Sequence, residues 1–167
     1  MAQEWIFFWR PSSNGVDNWH VFSQWYMSYF VDDDGVKYNC CEQYMMAQKA
    51  LVFKDESMYK TIMQEQNPAK IKKLGSLVRN FVERVWSQHK YEIICKGNYY
   101  KFSQNEALQR ILLATQSKFI AEASPYDRIY GIGLSKEQAV KIPPERWSGS
   151  NLLGKALMHV RAQLVSS

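Results

Sequence analysis

The chain has 167 residues, of which 46% are hydrophobic and 22% charged, and its net charge is +5. This composition is typical of a compact globular protein and excludes a disordered chain. The length predicts a single domain over residues 1–167, large enough to bury a core without disulfide bonds. The basic balance favours anionic partners such as phosphates or nucleic acid, although a solvated basic surface is the more common explanation.

The cysteines and the hydropathy bound the location of the protein. Cys40, Cys41 and Cys95 are an odd number and two of them are adjacent, so we expect reduced thiols. No apolar run approaches the ~20 residues that span a bilayer. The first four residues lack the basic start of a secretion signal. We expect a soluble monomer without a membrane partner, in the cytoplasm or, if the source is eukaryotic, also in the nucleus.

Two extended segments are predicted near the N-terminus. Residues 4–9, EWIFFW, form a short aromatic run that ends before the polar PSSNG, as a strand followed by a turn does. A second extended segment is predicted over 20–31, HVFSQWYMSYFV, and the turn-forming DDDG follows it. Together the two segments predict a small N-terminal β-sheet.

The middle of the chain is predicted to be helical. Apolar residues recur at helical spacing over 39–63, and a break near FKDES separates two helices. Pro68 begins a short helix that ends at Gly75. The apolar pattern of residues 77–102 continues at three and four positions, and Gly97 is expected to break it.

The C-terminal part is predicted to contain two further helices. Asn105 is the expected N-cap of a helix with a Leu and Ile stripe, NEALQRILLATQ, and a terminal helix covers SGSNLLGKALMHVRAQL. Between them, ASPYDRIYGIGLS has the proline and glycines of a loop, and loops often carry sites. The predicted fold class is α+β, a mainly helical domain with a small N-terminal sheet.

The first predicted helix in the middle of the chain carries one acid and one amine. Glu42 and Lys49 are seven positions apart, so a helix returns them to nearly the same face, roughly 10 Å apart at ~1.5 Å rise per residue. A partly exposed stripe with an ion pair explains this spacing equally well. If both are buried, desolvation makes the lysine a better nucleophile and suits the glutamate to acid and base work.

The loop after residue 122 could supply a second carboxylate. Asp127, beside Ser124 and Arg128, could lie opposite Glu42 across a cleft, and two carboxylates flanking one site suit hydrolysis of a glycosidic bond. A role for Asp127 as an ordinary turn residue explains the pattern at least as well.

Other chemistries find little support in the sequence. His20, His89 and His159 are far apart and have no second ligand at metal spacing, so no metal site and no cofactor is predicted. The GIG of YGIGLS lacks a dinucleotide fingerprint. The aromatic residues between 86 and 102 alternate with basic ones, a pattern that could stack bases and bind phosphates but more often packs a core.

The order and spacing of five segments resemble the NADAR family, also called YbiA-like proteins. CCEQYMMAQKAL resembles the family's Val-Glu-His-Tyr-Phe-Gln-Ala-Gln-Lys segment, and KFSQNEALQRILLAT its Lys-Phe-x-Gln-Asn helix. NPAKIKKLGSLVR, EASPYDRIYGIGL and GSNLLGKALMHVR match three further family blocks. The sequence departs from the pattern at Gln43, usually His, at Tyr130, usually Trp, and in FSQWY, usually Phe-Ser-Asn-Phe-Tyr. These departures bear on the choice of substrate.

The resemblance implies an enzyme that hydrolyses N-glycosidic bonds. Some members act on riboflavin-pathway intermediates, and others remove ADP-ribose from guanine in nucleic acid, so the implied partner is a nucleotide sugar or an ADP-ribosylated nucleic acid. By similarity, the expected catalytic residues are Glu42, Lys49 and Asp127. The expected substrate-binding residues are Gln48, Trp86, Asn105, Ser124, Arg128, Tyr130, Gly131 and Gly133. The backbone N–H groups of 131–133 are expected to take phosphates, and Trp86 or Tyr130 to stack on the base.

Two mechanisms and two other functional classes stay open at this point. Lys49 could attack C1 of the sugar and form a Schiff base, or Glu42 or Asp127 could stabilise an oxocarbenium ion and activate water. The alternative to an enzyme is a non-catalytic module that binds ADP-ribose or an NAD derivative. A basic nucleic-acid binder is a third class, although no groove-reading motif is present.

Overall fold

A computed structural model describes residues 2–167 of the protein. The chain forms two compact units. The terminal unit combines residues 2–23 with 106–167, and the central unit comprises residues 24–105. Seven α-helices and two small sheets make the described chain mainly helical, so the predicted α+β class is confirmed, whereas the single domain stays a prediction. Among residues 2–167, no helix is both long and apolar enough to cross a bilayer.

The sheet of the terminal unit pairs an early strand with one that lies far later in the chain. Strand β1, Trp5–Phe8, pairs in parallel with a strand at Phe119–Glu122, and Trp5 lies opposite Phe119. The predicted strand at 4–9 is confirmed. The second predicted strand at 20–31 is wrong, because its first part is a short 3-10 helix, Trp19–Phe22, in which the adjacent Val21 and Phe22 are both buried. A strand would turn two adjacent side chains to opposite faces.

The two-stranded hairpin lies in the central unit. Its strands are β2, Phe30–Val31, and β3, Lys37–Tyr38, which pair antiparallel. Of the predicted second strand, residues 30 and 31 form a strand. Their partner lies across the DDDG turn, where the Asp32 carboxylate accepts the backbone N–H groups of Asp34 and Val36 at 2.9 Å. The strand at Phe119–Glu122 is β4.

Four helices complete the central unit: α1 is Cys41–Val52, α2 is Glu56–Gln64, α3 is Pro68–Gly75 and α4 is Glu83–Gln104. Helix α1 packs against the other three. Its buried face includes Tyr44, Ala47 and Ala50. The helix therefore lies at the centre of the unit, and this explains why polar side chains on it become buried.

Helix α4 is continuous where the sequence predicted a break. Gly97 lies in its interior, and a Cβ at this position would be 2.7 Å from Cδ1 of Tyr44. The glycine is therefore a site of close helix–helix approach and not a helix end. Gly75, in contrast, ends α3 as predicted.

Three helices belong to the terminal unit: α5 is Glu106–Leu113, α6 is Lys136–Ala139 and α7 is Leu152–Ser166. Helix α7, the predicted terminal helix, packs on β4. A Cβ on Gly154 would be 2.1 Å from the Ile120 carbonyl oxygen, so only glycine fits this approach. Asn151 precedes the helix and binds β4 with both ends of its amide, to Ile120 O at 2.9 Å and Glu122 N–H at 3.1 Å.

Candidate active site

The carboxyl group of Glu42 lies in the first turn of α1. Its side chain is buried, with 4% exposed, and its backbone N–H donates to the carbonyl oxygen of Gln24 at 3.0 Å. The N-terminal turn of a helix carries the positive end of the helix dipole, which favours a carboxylate. The helix thus offers a buried acid a favourable electrostatic position.

The amine of Lys49 lies two turns further along α1 and is half-buried. Its Nζ is 4.5 Å from the centre of the Phe81 ring and 5.8 Å from the centre of the Trp86 ring. Desolvation lowers the pKa of Lys49 below its ordinary value, while the negative charges of Glu83 and Glu42 act in the opposite direction. A lysine in this environment loses its proton more readily than a solvated one, which is what a nucleophilic amine requires.

Two of the predicted substrate-binding residues belong to this part of the structure: Trp86 lies close to the Lys49 amine, and Gln48 lies on the same helix. Trp86, 5% exposed, is in the first turn of α4 and presents its ring to Lys49. Gln48 is half-buried, and its Nε2 donates to the Tyr38 hydroxyl at 3.4 Å, which in turn donates to Asp32 at 2.9 Å. The Gln48 amide is therefore tied to the hairpin through Tyr38.

Sequence reasoning missed a buried polar network beside Glu42. Asn98 accepts from the Cys41 thiol at 3.7 Å and donates to the Ile94 carbonyl at 2.8 Å and to Oε1 of Gln24 at 2.9 Å. These bonds fix which end of the Gln24 amide faces Asn98. Nε2 of Gln24 is buried and has no acceptor among the described residues. The departure FSQWY from the family pattern contains this glutamine and was the available signal.

A second lysine, Lys101 of α4, is completely buried. Burial lowers the pKa of its amine, whereas interaction with the Cys41 and Cys40 thiols acts to raise it. Burial also raises the pKa of the Cys40 thiol to about 11 and that of Cys41 to about 12. Both cysteines are free and protonated at neutral pH, so neither is a ready nucleophile.

Gln43, one of the departures from the family pattern, is a structural residue. Its Oε1 accepts from the backbone of Asn39 at 2.8 Å, and its Nε2 donates to the carbonyl of Ile62 at 3.1 Å and to that of Glu65 at 3.2 Å. The amide thereby joins the start of α1 to the end of α2. The expected bearing of this position on substrate choice has no support in these contacts.

Asp127 and the predicted loop residues belong to the terminal unit. Oδ1 of Asp127 accepts the backbone N–H groups of Ile129 and Tyr130, each at 2.9 Å. The turn role that the sequence left open is therefore real. Convergence of Asp127 with Glu42 and Lys49 stays a prediction.

The glycines of this loop allow close packing of its own backbone. A Cβ on Gly131 would be 2.9 Å from the Asp127 carbonyl oxygen, and Gly133 has a φ of +72°. The N–H of Ile132 donates to Glu122 O at 2.9 Å, and that of Gly133 donates to Asp127 O at 3.0 Å. These two N–H groups are already used, so the expectation that they bind phosphate is wrong for them.

The remaining predicted residues occupy varied environments. Ser124 is buried and its Oγ accepts from the Tyr126 backbone, Arg128 is exposed, and Tyr130 is half-buried. Asn105 ends α4, since its Nδ2 donates back to the Lys101 carbonyl at 2.7 Å, and its predicted role as N-cap of the next helix stays a prediction. Within residues 2–167, no group of three or more His, Cys, Asp or Glu side chains is arranged to hold a metal ion.

The sequence matches known families and proteins over most of its length. The model of the NADAR domain matches residues 7–165. The chain is 46% identical to N-glycosidase R617 of Acanthamoeba polyphaga mimivirus over 97% of each chain. It is 28% identical to the riboflavin biosynthesis protein PYRR, chloroplastic, of Zea mays, and this match covers 75% of the chain but only 20% of the maize protein.

The fold also matches a solved structure. The NMR structure of the E. coli protein YbiA superposes with a TM-score of 0.78 at 25% sequence identity, and the match covers 99% of this chain and 88% of that protein. The arrangement of helices and small sheets described above is therefore a YbiA-like fold.

Proposed function

Because the chain belongs to the NADAR family and is an N-glycosidase of that family, we propose that it hydrolyses the bond between a base and the ribose of an ADP-ribose or ribose phosphate, with Lys49 as nucleophile and Glu42 as acid and base. The favoured substrate is ADP-ribosylated guanine in nucleic acid. The observation that carries the proposal is the half-buried amine of Lys49, with its lowered pKa, on the same helix as the buried carboxyl group of Glu42.

The proposed reaction begins with the sugar ring-opened to an imine at C1, a form available when the bond joins the sugar to an exocyclic amine. The neutral amine of Lys49 adds to C1, and the C1–N bond to the base breaks as Glu42 delivers a proton to the leaving amine. A Schiff base between Lys49 and the sugar remains. Water then adds to C1 with Glu42 as general base, and cleavage of the bond to Lys49 releases the neutral lysine and the free sugar, which is ADP-ribose from the favoured substrate and a ribose phosphate from the alternative.

The environment of the two residues supports this division of roles. Desolvation lowers the pKa of Lys49 more than the charges of Glu83 and Glu42 raise it. The neutral amine is therefore accessible below the ordinary lysine pKa of 10.5. Glu42 is enclosed at the helix start, where water competes little for the proton that it transfers. Trp86, whose buried ring adjoins the amine, is proposed to bound the base site.

A cleavage assay tests the proposal directly. The protein is incubated with an oligonucleotide carrying ADP-ribosylated guanine and, separately, with ribosylaminouracil phosphates, and sugar release is followed by mass spectrometry. The second substrate is the alternative because the similar maize protein is a riboflavin biosynthesis protein. Release from the first alone supports the favoured substrate, and release from the second alone replaces it. Tight binding by calorimetry with no release from either would instead indicate a non-catalytic binding module.

The mechanism is tested by trapping with borohydride during turnover. We expect a reduced sugar adduct on the peptide that contains Lys49 and none in Lys49→Arg. Active enzyme without any adduct would assign the chemistry to an oxocarbenium route, in which Glu42 or Asp127 stabilises the sugar cation and activates water.

A further inference from the structure

We propose that Phe81 is a positioning residue for Lys49: its ring holds the lysine amine in place and sets the pH at which that amine loses its proton. The proposal rests on the function proposed above for Lys49. Phe81 lies on the segment 76–82 that joins α3 to α4, and no motif in the sequence singled it out.

The first observation is the geometry of the ring and the amine. The Nζ of Lys49 is 4.5 Å from the centre of the Phe81 ring, closer than the 5.8 Å to Trp86. A cation within about 6 Å of a ring centre is attracted by the negative face of the ring. Trp86 is nearly completely buried and Phe81 is 39% exposed, so Phe81 is the ring on the solvent side of the Lys49 amine.

The second observation is that the Phe81 ring packs against the buried ring of Phe53. Its ring meets that of Phe53 at 5.2 Å between centres and an interplanar angle of 60°, an edge-to-face contact. Phe53 is 8% exposed and is the C-cap of α1, the same helix that carries Lys49. The ring is thus fixed to the frame of the helix whose lysine it contacts.

The third observation is an anchor two residues away. Asp55, the N-cap of α2, accepts the backbone N–H of Arg79 at 2.9 Å and its guanidinium at 3.2 Å. Asn80 follows with a φ of +61°, in the left-handed region. The segment before Phe81 is therefore tied to the turn between α1 and α2, which limits the freedom of the ring.

These contacts give the ring an electrostatic effect with a definite sign. The charges that act on Lys49 are those of Glu83 on α4 and Glu42 on its own helix, and both favour the ammonium form. The ring face also favours the ammonium, so it opposes desolvation. Replacing the ring with an aliphatic side chain of similar size should lower the pKa of Lys49 by about half a unit, since the effect of a ring face at an exposed site is small.

The test compares Phe81→Leu with Phe81→Tyr, and Leu77→Ala is the matched control because Leu77 is an exposed apolar residue of the same segment. In Phe81→Leu we expect kcat to fall about three- to tenfold with KM nearly unchanged, and the acid limb of the pH profile to move about half a unit lower. Phe81→Tyr should restore both, and Leu77→Ala should change neither. Chemical unfolding verifies that each variant is folded.

A second measurement does not depend on activity. Competitive acetylation with acetic anhydride over a pH series, read by peptide mass spectrometry, gives the pKa of Lys49 in each variant. A lowered pKa in Phe81→Leu supports the proposal even if no substrate is cleaved, an outcome that would overturn the proposed function alone. An unchanged or raised pKa in Phe81→Leu, or a loss of activity no different from that in Leu77→Ala, would overturn the role of Phe81.

Discussion

The Nδ2 of Asn98 donates to the Oε1 of Gln24 at 2.9 Å, and this bond connects α4 to the residue whose backbone carbonyl receives the N–H of Glu42. The Cys41 thiol donates to the other end of the same Asn98 amide at 3.7 Å. The position of Glu42 thus depends on the side chain of Asn98, which is 56 residues later in the chain.

Asn98→Ala should lower the free energy of unfolding by about 2–3 kcal/mol, because buried polar partners are left without a hydrogen bond. Asn98→Asp should destabilise as well, since a carboxylate cannot donate to Gln24 and Ile94. Urea unfolding measures both. Lys96→Ala, at an exposed position on the same helix, is the control and should stay within about 0.5 kcal/mol of the parent protein. Equal stability of Asn98→Ala and the control would mean that the network contributes little.

Glu42→Gln and Lys49→Ala should each reduce kcat by at least about a hundredfold while the protein stays folded, since a general acid or base and a nucleophile are removed. Steady-state cleavage of the accepted substrate measures the loss. Glu56→Gln and Lys60→Ala change the same residue types at exposed positions of the neighbouring helix and should retain activity. Near-full activity in either site variant would remove that residue from the mechanism.

Glu83→Gln should move the acid limb of the kcat/KM profile to lower pH, by about a few tenths of a unit because Glu83 is exposed. The sign follows from the environment of Lys49: Glu83 raises its pKa, so removal of that charge lets the amine become neutral at lower pH. Glu106→Gln, an exposed acid paired with Arg110 in the terminal unit, is the control. A limb that moves to higher pH would contradict the assignment of this limb to Lys49.

Gly97→Ala should destabilise the protein although alanine favours helices by about 1 kcal/mol over glycine. The new Cβ would lie 2.7 Å from the Tyr44 ring, which Tyr38 and Tyr100 contact edge-to-face at 5.0 and 5.8 Å and thereby hold in place. Thermal unfolding of Gly97→Ala beside the double variant with Tyr44→Leu measures the clash. We expect Tyr44→Leu to lower the stability less in Gly97→Ala than in the parent protein, because it also relieves the clash. Strictly additive losses of stability would argue against a steric cause.

Asp55 should make stability depend on pH in acid. Bonds from the backbone N–H and guanidinium of Arg79, and from Met58 N–H, hold the pKa of its carboxyl at about 2, below the ordinary 3.8. Because the folded pKa is depressed, this stabilisation is complete above the unfolded pKa and is lost as pH falls through about 4 towards 2. Asp55→Asn should be less stable at neutral pH and lose less on acidification. Unfolding midpoints at pH 6 and pH 3 are measured for Asp55→Asn and for the parent protein. An equal loss of stability in the two proteins on acidification would contradict the prediction.

The helical part of the site could be predicted from sequence because it is local. The spacing of Glu42 and Lys49 sets their common face on any helix, and the burial of that helix explains the lowered pKa of the lysine. Phe81 could not be predicted in the same way. Its position over Lys49 depends on Phe53 and on the Asp55 anchor, contacts across a turn and between separate elements that hydrophobic periodicity does not encode.

The sheet shows a similar limit. The aromatic run at 5–8 is recognisable as a strand, but its partner is β4 and not the segment that follows it. The predicted helix break at Gly97 is wrong because a glycine within a helical pattern can mark either a helix end or a close approach, and the contact with the Tyr44 ring shows that it is a close approach.

The parallel pairing of Trp5 with Phe119 has a consequence for how the protein is made. The two residues are 114 positions apart, so the first strand leaves the ribosome long before its partner has been synthesised. Residues 24–105, by contrast, are complete before that partner emerges. We therefore expect nascent chains arrested before residue 119 to leave the N-terminal aromatic strand accessible to proteases and chaperones, and synthesis of residues 119–167 to protect it.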